Sequence, residues 1–292
     1  MATDLLSSAP PSIPTKPPII LQEKGVAVAG QLVSIVIPCC GTLEYTEMCV
    51  PSILKHTRMP YELIFLDIGS LDGTAPYLRG LATGLANMRL QVVRTPSDLG
   101  IAQAVKEALE MCRGDFIVLL SNDTIVTRGW VNQLIGLMSQ SAGTGMVGPM
   151  SNYATELQLV EAVPYRSGPR KSVRPAEDDS GPRGLIDLDA VQAFADELRE
   201  KNKGKYVNVD RLDGFCLMLK REVLRRLNQQ GELSKLADLS VFDKGALSAK
   251  ARQLGYTLAI CRDLFVHHFG TMNFAQAAPA MGNGQTAAGF RN

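Results

Sequence analysis

From residue 33 onward, short apolar runs alternate with stretches that carry apolar residues at helical spacing. Val33–Ile37, Glu62–Leu66, Leu90–Val93 and Phe116–Leu120 are short enough to be strands buried on both faces, as parallel sheets require. Between them, Thr46–His56 and Ile101–Cys112 read as helices, each followed soon after by a Pro or Gly breaker. Alternation of strand and helix predicts right-handed βαβ crossovers and an open α/β sheet. Further on, Val209–Lys220, Glu222–Leu227, Asp243–Leu254 and Leu258–Cys261 read as strand, helix, helix and strand. Tyr165–Lys205 changes character: its Ser-Gly-Pro and Pro-Ala-Glu-Asp-Asp stretches read as a mobile insertion that runs into an amphipathic helix, Asp187–Lys201. Residues 1–30, with Pro10-Pro11, Pro14 and Pro17-Pro18, sustain neither periodicity and read as a disordered tail, and 275–292 read as a loose C-terminal tail.

Composition narrows the class without naming it. At 292 residues, 46% hydrophobic and 20% charged, the chain is long enough for one large α/β domain. Thirty basic against 29 acidic side chains give a net charge of +1, so no overall field attracts nucleic acid or an anionic membrane. The six cysteines (Cys39, Cys40, Cys49, Cys112, Cys216, Cys261) lack metal-ligand spacing and several lie in apolar runs, which reads as reduced thiols in a cytoplasmic protein. No apolar run approaches the ~20 residues that span a bilayer, and no signal segment opens the chain.

Candidate chemistry gathers at the strand ends, where open α/β sheets bind ligands. Asn122-Asp123-Thr124 ends the Phe116–Leu120 run, and a carboxylate there suits holding a divalent cation against a diphosphate, although Asn-Asp after a strand is more often a turn. Asp67-Ile68-Gly69-Ser70-Leu71-Asp72-Gly73-Thr74 follows the second strand. Asp67 would accept hydrogen bonds from a base or ribose, and the plainer reading is a strand-to-helix turn with Asp72 or Thr74 as a cap. Asp98-Leu99-Gly100 is a similar turn, with a helix cap as its plainer reading. Val266-His267-His268-Phe269-Gly270 holds two of the three histidines. One imidazole would join Asp123 on a metal, or one packs while the other is solvated; on a strand only one of the two faces the site.

Taken together these segments resemble the family 2 nucleotide-sugar glycosyltransferases, over about Val33–Phe274. Val33–Pro38 matches the family's first strand, and Asp67–Thr74 its Asp-x-Gly-Ser-x-Asp-Gly-Thr. Asp98-Leu99-Gly100 matches its Asn-Leu-Gly, and Ser121-Asn122-Asp123 a reduced form of its metal-binding Asp-x-Asp. Gly148-Pro149-Met150-Ser151-Asn152-Tyr153, Leu212-Asp213-Gly214-Phe215-Cys216 and His267-His268-Phe269-Gly270 are similar to a bacterial subgroup. The resemblance implies a single Rossmann-like A-type α/β domain over 31–274 with a mostly parallel central sheet. It divides into a nucleotide-binding half, 31–125, and an acceptor half, 126–274, with a flexible insertion at 165–205. It also implies a UDP- or dTDP-sugar donor whose base end meets Asp67. Pro38, Cys39, Cys40 and Gly41 would line the nucleotide pocket, with Gly69, Asp98, Gly100 and Asn122 completing the donor contacts. Asp123 would hold Mg²⁺ or Mn²⁺, and His268 would be a second metal or phosphate contact. The acceptor would be a hydroxyl on a glycan, a lipid-linked sugar or a protein, in cell-surface glycan or polysaccharide synthesis.

One departure bears on catalysis. Where the subgroup carries an acidic Glu-Asp-Asp-Asp run that supplies the general base, this chain reads Asp243-Lys244-Gly245-Ala246. Three expectations follow: Asp243 is the base, Asp213 is the base, or the protein binds nucleotide-sugar with weak or no transfer. A nucleotidyltransferase is disfavoured because the first strand lacks that class's Gly-rich, Arg- and Lys-bearing loop.

Overall fold

A computed structural model describes residues 31–85, 88–95, 101–155, 157–165, 186–232 and 245–270, with the backbone alone for 95 and 101–105. The expected tails, the Asp98–Gly100 turn and the Asp243-Lys244 pair lie outside the described residues, as do residues 166–185 of the expected insertion.

Val33–Cys39 (β1), Tyr61–Ile68 (β2), Leu90–Thr95 (β3) and Phe116–Leu120 (β4) form one parallel group, in spatial order β3-β2-β1-β4. Their crossovers are Leu43–His56 (α1), Thr74–Gly84 (α2) and Ile101–Met111 (α3). The β1 side chains explain the layering. Val33, Ile35 and Ile37 enter one core with α1, α2 and Trp130–Ser139 (α4), while Val36 enters a second core on the opposite face. Both faces being apolar, the strands read as continuous hydrophobic runs.

The sheet continues as β4-β8-β6-β9-β7, where β6 is Thr144–Met150, β7 Tyr206–Val209, β8 Cys216–Lys220 and β9 Thr257–Phe265. β8 runs antiparallel to both β4 and β6, and β7 antiparallel to β9, so six of the eight strands point one way. The helices Leu188–Asn202 (α5), Arg221–Gln229 (α6) and Ala246–Gln253 (α7) complete the layers. α5 starts where Asp187 accepts from the Asp189 and Ala190 amides, and its Val191, Ala195 and Leu198 pack on Phe265. Among the described residues no helix is long and apolar enough to cross a membrane.

The expected single strand Val209–Lys220 is two strands on different parts of the sheet, β7 at its edge and β8 near its centre. Asp213 breaks the run: its carboxylate accepts from Thr155 and its own amide donates to Gln158 Oε1 (2.7 Å), so this stretch is committed to loop contacts rather than to a ladder. β9 also extends past the expected Cys261 to Phe265.

A two-stranded sheet at the carboxyl end of β4 pairs Thr124–Ile125 (β5) with His267–His268 (β10), antiparallel, with His268 opposite Thr124 and His267 opposite Ile125. This small ladder places the histidine pair against the Asn-Asp turn.

Candidate active site

The register Cys39↔Asp67 brings the carboxyl ends of β1 and β2 level. Pro38 and Cys39 lie within β1 with buried side chains, and burial pushes the Cys39 thiol up. The turn itself is Cys40-Gly41-Thr42, with Gly41 at φ 71° and Thr42 at φ 60°. A β-branched residue in that left-handed region is held by its surroundings. Ser70 Oγ accepts from the Gly41 amide (2.9 Å), and Asn122 Nδ2 donates to Thr46 Oγ1 (2.7 Å), Thr42 Oγ1 (3.2 Å) and the Gly41 carbonyl (3.4 Å). The amide of Asn122 is thus spent on shaping the β1–α1 turn, while its Oδ1 is buried without a hydrogen-bond partner.

Asp67 is fully buried. Its Oδ1 accepts from the Ser70 amide (3.1 Å), and its Oδ2 lies 3.4 Å from Arg94 Nε, whose side chain is half exposed. Gly69 stands in the left-handed region at φ 59° between them in sequence, which lets the turn double back. Asp72 stands one residue before Gly73, the N-cap of α2, and ties two helix starts together: it accepts from the Thr74 amide and hydroxyl (3.3 and 2.7 Å) and from the Leu43 amide at the start of α1 (2.8 Å).

Asp123 is also fully buried. Its Oδ1 accepts from Ser121 Oγ (2.6 Å) and lies 3.3 Å from His268 Nε2. The other ring nitrogen, Nδ1, donates to the Tyr153 carbonyl (2.8 Å). A carbonyl only accepts, so the Nδ1 proton is fixed, and Nε2 presents either a second proton or a lone pair to Asp123. Phe215 stacks on the ring (centroids 5.1 Å, 16°) and Tyr153 meets it edge-on (5.4 Å). Burial pulls the His268 pKa down, but the Asp123 charge and hydrogen bond, with the Tyr153 carbonyl and the Asp213 charge, outweigh it and hold it above the ordinary value.

Two residues that sequence reasoning gave no role position this imidazole. Asn152 clamps the His268 backbone from both sides: its Oδ1 accepts from the His268 amide and its Nδ2 donates to the His268 carbonyl, each at 2.9 Å. Gly270, at φ 68°, leaves room for Tyr153, since a Cβ there would stand 2.5 Å from its ring. The one sign of both in the sequence was their place in the Ser151-Asn152-Tyr153 and His267–Gly270 segments.

His267 faces the opposite way, as strand alternation requires. Its Nδ1 lies 3.1 Å from Tyr165 Oη, and burial, then the neighbouring His268, push its pKa down to about 3 against the pull of Asp123. It is a packed, neutral histidine. Asp213 presents its carboxylate to Thr155, taking the backbone amide on Oδ2 and the hydroxyl on Oδ1 (2.9 Å for the latter).

A divalent cation fits the Asp123–His268 pair. A hard carboxylate oxygen and an imidazole nitrogen whose tautomer is set from behind by a carbonyl converge within 3.3 Å. Among the described residues no three or more His, Cys, Asp or Glu gather round one point, so a cation here would take its remaining oxygens from a bound diphosphate and water.

Comparison with known proteins identifies the family and the fold. The family described as "Glycosyl transferase family 2" matches residues 34–227, well over half of the chain. Glycosyltransferase GlyG of Streptococcus pneumoniae is 27% identical over 124 residues, which are 42% of this chain and 40% of that protein. Among solved structures, GalNAc-T7 with UDP, GalNAc and Mn²⁺ superposes with a TM-score of 0.55 at 16% identity, over 82% of this chain and 43% of that one. The mannosyltransferase PcManGT of Pyrobaculum calidifontis, in complex with GDP-Man and Mn²⁺, gives 0.50 at 18% identity, over 81% of this chain and 56% of that one. The two structures establish the shared fold, and this chain spans well under two thirds of the length of all three proteins.

Proposed function

The chain belongs to glycosyl transferase family 2, and from that premise we propose that it moves a sugar from a UDP- or dTDP-sugar to a hydroxyl acceptor with inversion at the anomeric carbon. The observation that carries this reading is the buried Asp123 beside His268 at the carboxyl end of β4, with Nδ1 of the imidazole fixed by Tyr153. Asp123 and His268 would hold Mg²⁺ or Mn²⁺. Bound there, the cation would neutralise charge on the leaving nucleoside diphosphate.

The remaining roles fall to this chain's own residues. Asp67, buried at the end of β2, would accept an N–H from the base, and the Cys40-Gly41-Thr42 turn would face the nucleoside. Pro38 and Cys39 would shape that pocket from within β1, and Asn122 would hold its turn in place. The acceptor oxygen attacks the anomeric carbon as the bond from that carbon to the diphosphate oxygen breaks, and the hydroxyl proton passes to a carboxylate. Asp213 and Asp243 are the two candidates for it. What supports Asp213 is that it lies two residues before Phe215, which stacks on the His268 ring, and holds Thr155, two residues beyond Tyr153. We place the activity in the cytoplasm, in keeping with six free cysteines.

A second reading, a nucleotide-sugar-binding protein with weak transfer, is favoured by Lys244-Gly245-Ala246 standing where an acidic run is expected. Calorimetric titration of UDP and dTDP with and without Mn²⁺, repeated on Asp123→Ala, tests the main reading. Metal-dependent binding of one nucleotide, lost in the variant, is the expected result; no binding of either overturns it. Binding with no turnover over a broad acceptor panel selects the second reading. If turnover occurs, Asp213→Asn and Asp243→Asn identify the base as the one whose loss stops transfer while nucleotide binding persists.

A further inference from the structure

Beyond Thr155, away from the Asp123–His268 pair, an open cavity of 920 Å³ lies against the second core, walled by Leu157, Leu159, Val209, Tyr256 and Leu258. Large apolar side chains rarely stand open to water in a cluster without a reason. Here Tyr153, Leu157 and Leu159, at 59%, 56% and 40% exposure, are three of the six exposed large apolar side chains among the described residues, all on one short loop. That loop begins with the ring edge-on to His268 and ends in the cavity. Within it, Thr155 both lines the cavity and grips Asp213.

The size falls in the range of small-molecule sites, and the lining mixes these apolar side chains with polar ones such as Thr155, Gln158 and Asn208. The charge does not suit a nucleotide. Of the charged residues among the described ones that line the cavity, Asp210 and Arg252 pair with each other at 2.9 Å, which leaves Arg211 as the positive charge these residues offer a diphosphate.

We propose that this cavity binds the apolar part of an amphipathic acceptor, a glycoside with an aliphatic aglycone. The sugar end would lie against Tyr153 beside the reacting centre and the alkyl chain over Leu157 and Leu159. This deepens the transferase reading and rests on it for the acceptor's role, though the binding itself is measured separately. Tyr153, more than half exposed, offers its ring to the sugar, and the Thr155–Asp213 pair would mark the passage from sugar to tail.

The test is a chain-length series. Hexyl, heptyl and octyl β-glucoside, each kept below its micellar concentration, are titrated into the full chain by calorimetry. Affinity should rise about three- to fourfold for each added methylene, the gain from burying one such group. In Leu157→Asp and, separately, Leu159→Asp, both exposed enough to leave the core intact, that gain should fall to near onefold. Leu71→Asp, at a 97% exposed position in the β2–α2 turn, should keep it. No chain-length gain in the parent protein, a gain undiminished in both loop variants, or an equal loss in Leu71→Asp overturns the proposal. UDP titration with Mn²⁺ on the same samples keeps the two readings apart. If nucleotide fails to bind while the glucoside series behaves as expected, the transferase reading falls and the cavity stands as an amphiphile site.

Discussion

Replacing Asn152 with Ala removes both hydrogen bonds that clamp the His268 backbone, each 2.9 Å long. Neither bond involves a charged group, so each contributes about 1 kcal/mol net, and the clamp about 2 kcal/mol. The clamp acts on the strand that presents Nε2 to Asp123. Released, the imidazole would spend most of its time away from the geometry in which Asp123 Oδ1 stands 3.3 Å from it. A 2 kcal/mol preference is about 30-fold in population, within the ~10–100-fold that removing a supporting group typically costs a metal site. The assay is calorimetric titration of Mn²⁺ in the presence of saturating UDP, beside a urea melt. The variant should bind Mn²⁺ about 30-fold more weakly while losing no more than about 2 kcal/mol of stability. Asn152→Asp keeps the acceptor for the His268 amide but sets a carboxylate oxygen against the His268 carbonyl, so it should do no better than Ala. A folded Asn152→Ala protein whose Mn²⁺ affinity stays within about twofold of the parent would refute the argument that backbone clamping sets the metal site.

Other consequences are open to measurement. UDP with Mn²⁺ at 100 times the dissociation constant should raise unfolding stability by about 2.7 kcal/mol; chelator should remove the gain and Asp123→Asn should never show it. Gly114→Ala should destabilise by about 3 kcal/mol or more in a urea melt, because its Cβ would stand 2.5–2.8 Å from backbone atoms of Ser34, Leu32 and Phe116, none of which can step aside. His267, neutral in the fold with its pKa pushed down to about 3, binds fewer protons folded than unfolded between that value and 6.5, so its contribution to stability falls as pH drops through that window. Between pH 7.5 and pH 5 the loss amounts to about 2 kcal/mol, and urea melts should show His267→Gln losing correspondingly less over that range. Asp72→Ala should cost about 1 kcal/mol through the lost bonds to the Thr74 and Leu43 amides.

The alternation of apolar runs and helical spacing was enough to establish the parallel half of the sheet, because a strand buried on both faces must be apolar along its whole length. Val33–Ile37 and Phe116–Leu120 could hardly be anything else. The same pattern put Asp67 and Asp123 at strand ends, and strand alternation foretold that one histidine of the pair would face the site and the other the core. What the pattern could not carry were contacts between segments more than a hundred residues apart, which backbone hydrogen bonds decide and side-chain polarity does not record. The pairing of His268 with Thr124, the grip of Asn152 on His268 and the tautomer fixed by Tyr153 are all of this kind. The splitting of Val209–Lys220 is likewise decided between segments, 58 residues apart in this case, where Asp213 gives its carboxylate to Thr155 and the chain leaves one strand to start another on the far side of β6. Asn122 shows the limit from the other direction: its position at the strand end was legible, but its amide turns inward to the β1–α1 turn, a choice made by Thr46 and Thr42 once the fold had brought them within 3.2 Å. Burial is written locally in the order of residues, whereas the partner of each polar group is fixed only when the chain has closed on itself.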